Sequence, residues 1–361
     1  MKIKTQSVAA AGLRRLIGVA GLACMTAPAW AGLGFSEIAM PGAGAAAGPV
    51  SVYYPTEAPD QPQRFGRMEL RLARDAAPKV GNGRLVLISH GSGGSPWVHA
   101  DLARRLVEAG FVVAMPEHWA DNYKDPSRPG PDSWALRPAE MSRAIDAVAA
   151  DSRFGPGLRL DKVGAYGGSA GGHTVLSLAG GHWSAAGFLR HCQVHLAEDF
   201  QACVGLTTSL TRGVGGDLGV LDGLKLWLAR QILAFKFDDA RPLSYADPRI
   251  AAAVASVPAA ADFEMSSLAK PRIPLALVTA RRDRWLSPQW HSDAVLRACA
   301  DRCEWLADLS DGGHGAMLSP LPPGLSGLLG EMLNDPPGFD RAQLDEVDRK
   351  ITAFMQRHLL D

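Results

Sequence analysis

The chain has 361 residues, of which 47% are hydrophobic and 20% charged. That length admits one large α/β domain or two small ones, and the composition is ordinary for a globular fold. The 37 basic and 37 acidic side chains cancel to a formal net charge of zero, which argues against nucleic acid as a partner, since that needs a clustered basic excess.

The first 31 residues read as an export signal rather than as part of the fold. Lys2, Lys4, Arg14 and Arg15 make a basic head, and residues 16–27 are apolar but too few to span a bilayer. Ala29-Trp30-Ala31 then places small residues at the two positions a signal peptidase reads, so cleavage is expected after Ala31. Arg14-Arg15 leaves a twin-arginine route open beside the general one. The mature chain is expected to be periplasmic or secreted.

Export changes how the cysteines read. Cys24 leaves with the signal, while Cys192, Cys203, Cys299 and Cys303 remain. An even number in an oxidising compartment implies disulfides. The pairs nearest in sequence, Cys192–Cys203 and Cys299–Cys303, are the expected connectivity. No Cys-x-x-Cys suggests a zinc site.

From residue 50 onward, apolar runs alternate with amphipathic stretches, as in a parallel sheet with helical crossovers. Strands are expected at 50–54, 84–89, 111–115, 161–166, 250–257, 275–280 and 303–309, and helices at 98–109, 138–150, 288–299 and 341–358. Gly110 suits the stop of the first helix and Pro138 the start of the second. Residues 182–247 break the alternation. There Leu221, Leu224, Leu228, Ile232 and Phe235 recur at helical spacing, beside Trp227 and Leu233. Two readings stand together: a cap inserted into the sheet domain, or a helix facing the core. No Pro/Gly/Ser-rich linker divides residues 32–361, which are expected to form one domain with a cap-like insertion at about 182–247. No stretch beyond the leader is apolar for long enough to insert stably in a membrane.

Gly167-Gly168-Ser169-Ala170-Gly171 matches G-x-S-x-G. In a glycine-rich chain the pattern alone is weak. Its setting is the stronger signal, because an apolar strand precedes it and a helix-forming run follows, the strand–turn–helix context that exposes a nucleophilic serine. Attack on an ester carbonyl builds charge on oxygen, so two backbone N–H groups should face that oxygen. Ala170, the residue after the serine, is one candidate. Ser92, in the loop His90-Gly91-Ser92-Gly93-Gly94 after an earlier strand, is the other. His90 sits at the strand end and reads as structural.

In this arrangement the acid and then the histidine follow the serine along the chain. Asp283 lies just past the run 274–280, and His314 lies in Asp311-Gly312-Gly313-His314-Gly315 after the last expected strand. His314 would take and return the proton, and Asp283 would orient its ring. Asp262 is the rival acid, one strand earlier. Asp308 and Asp311 are too near His314 in sequence to approach it easily. His118, His173, His182 and His291 read as packing or surface histidines.

These stretches resemble the dienelactone-hydrolase-like branch of the α/β-hydrolases, which includes bacterial relatives of platelet-activating-factor acetylhydrolase. The matching residues are 52–56, 85–94, 110–118, 137–149, 161–172, 274–283 and 312–315. The resemblance implies a mostly parallel eight-stranded sheet with helices on both faces and a small-molecule ester or lactone substrate. It also implies the roles of Ser169, Asp283 and His314 argued above. Ser169 stands where dienelactone hydrolases carry cysteine, which argues against the dienelactone itself. Ser256 occupies the position where lipid-acting relatives tend to carry the acid, and Gly168 replaces a bulky residue before the nucleophile. The chemistry calls for no metal or organic cofactor. An esterase is the first expectation. A serine peptidase sharing the same elbow, or a binding module on a hydrolase scaffold, are the alternatives.

Overall fold

Residues 32–40, 48–210 and 219–361 are described by a computed structural model. The expected leader, its cleavage site and Cys24 lie outside the described residues. Among the described residues, ten strands build one mixed, mostly parallel sheet: β1 (Gly32–Ile38), β2 (Val50–Thr56), β3 (Gln61–Phe65), β4 (Met68–Arg74), β5 (Leu85–Ser89), β6 (Val112–Pro116), β7 (Val163–Gly168), β8 (Ile250–Ser256), β9 (Leu275–Ala280) and β10 (Cys303–Leu309). Their order across the sheet is β10-β9-β8-β7-β5-β6-β2-β1-β4-β3. The helices are α1 (Ala100–Glu108), α2 (Pro131–Trp134), α3 (Arg137–Ala150), α4 (Ala170–Leu178), α5 (Ala185–His195), α6 (Phe200–Val204), α7 (Gly219–Lys236), α8 (Met265–Leu268), α9 (Ser292–Cys299), α10 (Gly327–Leu333) and α11 (Leu344–Leu359).

The strands from β10 to β6 pair in parallel. Their sequences are continuous apolar runs because both faces are covered. Leu85, Val86, Leu87 and Ile88 are all fully buried, yet they serve different layers. Leu85 and Leu87 pack with Met141 and Ile145 of α3 and Val175 and Leu176 of α4. Val86 and Ile88 pack with Leu106 of α1 and Ile351 and Phe354 of α11. This period-two division lets one short strand glue two helical layers.

The sheet has ten strands rather than the expected eight. The antiparallel pairings, β6 with β2, β2 with β1 and β4 with β3, all lie toward one side, where β1 also pairs in parallel with β4. β1 pairs antiparallel with β2, and a β3–β4 hairpin continues beyond β1. In β4, Met68, Leu70 and Leu72 are buried while Glu69 and Arg71 are exposed, a half-buried alternation distinct from the central runs. Gly66, at φ +61°, makes the tight turn that joins the hairpin. Outermost β3 contains Pro62, which an edge strand tolerates. Opposite it, β10 carries an irregularity between Trp305 and Ala307.

Residues 185–236 supply α5, α6 and α7 between α4 and β8. The reading in which the α7 stripe faces the core is corrected. The helix seats Ala229 and Leu233 inward, while Leu221, Leu224, Leu228, Ile232 and Phe235 face outward, Phe235 at 87% exposure. Helical spacing reports that apolar residues share a face, not which side that face takes. Both expected disulfides form, Cys192–Cys203 and Cys299–Cys303, each with Cα atoms 5.7 Å apart. Among the described residues no helix is long and apolar enough to cross a membrane.

The path of the chain fixes where a site can form. From β5 it passes to β6 on one side, then returns across β5 to β7 on the other. At such a reversal the loops leaving the carboxyl ends of two adjacent strands diverge and open a crevice. Here those ends belong to β5 and β7.

Asp348 of α11 is buried, and its carboxyl is pushed up to about 7, first by burial and then by the charge of Asp101. An acid whose folded pKa is raised withdraws stability as pH climbs from the ordinary carboxylate range towards 7. Asp348→Asn should therefore raise Tm by about 5 °C at pH 8 and confer little at pH 4, measured by calorimetry.

Candidate active site

Ser169 occupies the single position between β7 and α4, at φ 57° and ψ −118°. A side chain in this region of backbone space is strained, and such residues persist only where the surroundings impose them. The glycines beside it show what imposes it. A Cβ on Gly167 would collide with the Gly171 carbonyl, and one on Gly171 with the Ser89 carbonyl. Strand, turn and helix are packed backbone to backbone, so the turn has one shape. Gly168 is different, because the nearest atoms to a Cβ there would be His99 Cε1 at 3.8 Å and the Ser256 carbonyl oxygen at 3.9 Å. A Cβ there would make only ordinary van der Waals contacts, so no backbone collision imposes glycine at that position.

The three residues expected to converge do so. His314 Nε2 lies 3.0 Å from Ser169 Oγ, and His314 Nδ1 lies 2.8 Å from Asp283 Oδ2. A carboxylate only accepts, so Nδ1–H donates to Asp283, which leaves Nε2 free to accept from the Ser169 hydroxyl. Asp283 is itself fixed: its Oδ1 accepts from the amides of Trp285 at 2.8 Å and Leu286 at 2.9 Å. The loops that carry acid and histidine are joined by Arg282 N donating to the Gly312 carbonyl at 2.9 Å. His314 and Asp283 are buried, while Ser169 retains partial exposure. Beside His314 opens a cavity of about 310 Å³, lined also by Trp285, Arg284, Met332, Glu331 and Pro336.

A second constellation of the same bonding lies close by. Ser89 Oγ is 2.7 Å from His118 Nε2, and His118 Nδ1 is 2.6 Å from Glu140 Oε2. Nothing in the distances distinguishes it from Ser169, His314 and Asp283. Burial does, because Ser89 and His118 are wholly enclosed and Glu140 is 4% exposed. Burial, reinforced by the nearby Arg137 charge, holds the His118 imidazole well below its ordinary pKa and so neutral. This set braces the end of β5 and does not meet solvent. His90, expected to be structural, donates from Nδ1 to the Gly91 carbonyl and accepts at Nε2 from His118 N.

The two residues expected to face the oxyanion flank the same crevice. Ala170 opens α4, where the first N–H groups of a helix have no intrahelical acceptor. Ser92 lies in the loop after β5, its hydroxyl turned away to Asp121 Oδ1 at 2.5 Å. Within this loop, a Cβ on Gly91 would stand 3.4 Å from Ser169 Cβ.

The rival residues go elsewhere. Asp262 pairs with His173 at 2.9 Å, both enclosed beneath Trp134, Trp183 and Phe263. Asp308 serves Thr279 and Arg281, and Asp311 pairs with Arg282. Sequence reasoning missed Asp121, Arg137 and Glu140. Only Arg137 left a signal, a cation at the first residue of a helix, where the macrodipole disfavours it.

One further cluster has metal-like composition. His191 Nε2 and His291 Nε2 lie 2.8 and 3.0 Å from Asp199 Oδ2. The donor set does not fit a cation. The amide of Ala260 donates to His291 Nδ1 at 2.9 Å, so the ring proton resides on Nε2, the atom a metal would need bare. The cluster is instead a junction between α5, the start of α6 and the loop before α9. Burial alone would raise the Asp199 carboxyl, but the bonds from His191 and His291 override it and hold the group well below the usual carboxylate range.

Comparison of the chain with protein-family models and with curated proteins returned no match.

Adding Zn²⁺ should leave Tm unchanged, whereas Asp199→Ala should destabilise the fold by about 2–3 kcal/mol in urea titrations. Because the carboxyl is held low, that contribution persists above the ordinary carboxylate range and fades as pH falls through and below it.

Proposed function

We propose that the chain is an exported serine hydrolase of the α/β-hydrolase fold that cleaves carboxylic esters of small molecules. The observation that carries this reading is the unbroken line of hydrogen bonds from Asp283 through His314 to a partly exposed Ser169. The strained turn at Ser169 and the crevice at the reversal of strand order support it. So does the resemblance of the sequence to the dienelactone-hydrolase-like branch. The basic-apolar leader and the paired cysteines support a periplasmic or secreted location. Residues 182–247 would serve as the cap.

Ser169 Oγ bonds to the carbonyl carbon as its proton moves to His314 Nε2. The negative charge that develops on the carbonyl oxygen is met by the N–H groups of Ala170 and Ser92. Collapse breaks the bond to the alcohol oxygen, which leaves with the proton from His314, and an acyl group remains on Ser169. A water molecule repeats the sequence, giving its proton to His314, and releases the acid. Asp283 keeps the imidazole in the tautomer that accepts at Nε2 and stabilises the imidazolium between steps. The absence of a side chain at Gly168 would leave space beside the nucleophile.

An alkyl fluorophosphonate should add one phosphonyl group to Ser169 and none to the enclosed Ser89, read by peptide mass spectrometry. Absence of label would favour a binding module. Ser169→Ala should lower kcat by at least about 10⁴-fold without loss of fold. p-Nitrophenyl acyl esters should be cleaved in preference to aminoacyl anilides, and the reverse preference would favour a peptidase.

A further inference from the structure

We propose that the buried ion pair of Asp121 and Arg137 is a positioning element for the oxyanion loop, setting where the Ser92 amide points without touching substrate. The inference rests on the ester-hydrolase reading of the site. Asp121 Oδ1 accepts from Ser92 Oγ at 2.5 Å and from the Gly93 amide at 2.9 Å. Its Oδ2 accepts from Arg137 Nη2 at 2.7 Å. Arg137 Nη1 in turn donates to the His90 carbonyl at 2.5 Å. One ion pair therefore holds His90, Ser92 and Gly93 from behind, and Gly94 N closes the turn onto the Gly91 carbonyl at 3.0 Å.

Stability alone does not explain this pair. Both side chains are fully buried, and desolvating two charges costs about as much as their attraction returns. Arg137 stands at the first residue of α3, where the helix dipole opposes a cation. Ala120, just before Asp121, is held at φ 53°, a strained conformation for a residue with a Cβ. Three local costs converge on one carboxylate, and that carboxylate reaches the loop facing Ser169. A loop of this glycine content would otherwise sample many shapes, and oxyanion stabilisation requires donors already aimed.

The test compares wild type, Asp121→Asn, Ser92→Ala and Arg137→Lys on p-nitrophenyl butyrate, with affinity for an aryl trifluoromethyl ketone measured alongside Tm. The ketone forms a tetrahedral adduct on Ser169 and so reads the oxyanion site directly. In Asp121→Asn, kcat should fall about 10–100-fold with KM within about 3-fold, and ketone affinity should fall in step. Ser92→Ala, which removes one bond to Asp121 and spares the ion pair, should lose less in the same direction. It carries the test with Arg137→Lys if Asp121→Asn does not fold. A fall in Tm with kcat and ketone affinity intact would overturn the proposal. Wild type that cleaves no ester would sink the hydrolase reading as well, whereas an active wild type with unimpaired variants would sink this inference alone.

Discussion

The hydrogen bond between His314 and Ser169 joins residues 145 positions apart, and the rest of the site depends on it. No local propensity can make such a bond. It requires β7, β8, β9 and β10 to lie side by side in register, so that the loops leaving β9 and β10 arrive above the turn leaving β7. The two apolar layers supply that register, since a one-residue slip in any central strand would exchange its faces. The strained serine, the glycines around it and the amide clamp on Asp283 then fix the last few ångströms.

Two serine–histidine–carboxylate constellations, at the ends of β5 and β7, show how little distance geometry says alone. Their hydrogen bonds differ by at most 0.3 Å. One ends on a serine at a strained, partly open turn, and the other on a serine packed inside the sheet. The first can meet a ligand; the second satisfies buried polar groups that would otherwise destabilise the interior. The neighbouring Asp121 and Arg137 belong to the same enclosed framework. The loop after β5 is thus braced from beneath by charge and hydrogen bonds.

Much of this is legible in the sequence. The central strands announce themselves as unbroken apolar runs, the elbow by glycines around Ser169, and the acid and histidine by their order after successive strands. The cysteine pairs followed from proximity. The β3–β4 hairpin was not legible, because short half-buried strands such as Met68–Arg74 mix apolar and charged residues and give a weak signal. The outward face of α7 was ambiguous in principle, since periodicity fixes a stripe and not its direction. Asp121 and Glu140 were invisible because their roles arise from burial among residues distant in sequence.

The sheet's two borders have a consequence of their own. An open sheet ends in unpaired backbone groups that can recruit another chain. On one border Pro62 deletes a donor from β3, and Gln61, Pro62 and Arg64 meet water. On the other, the irregularity at Trp305–Ala307 interrupts the even ladder of β10 against β9. Each interrupts the flat, regular rail that strand-by-strand growth into fibrils needs, so a sheet this wide can end in solvent without inviting an eleventh strand from a neighbour.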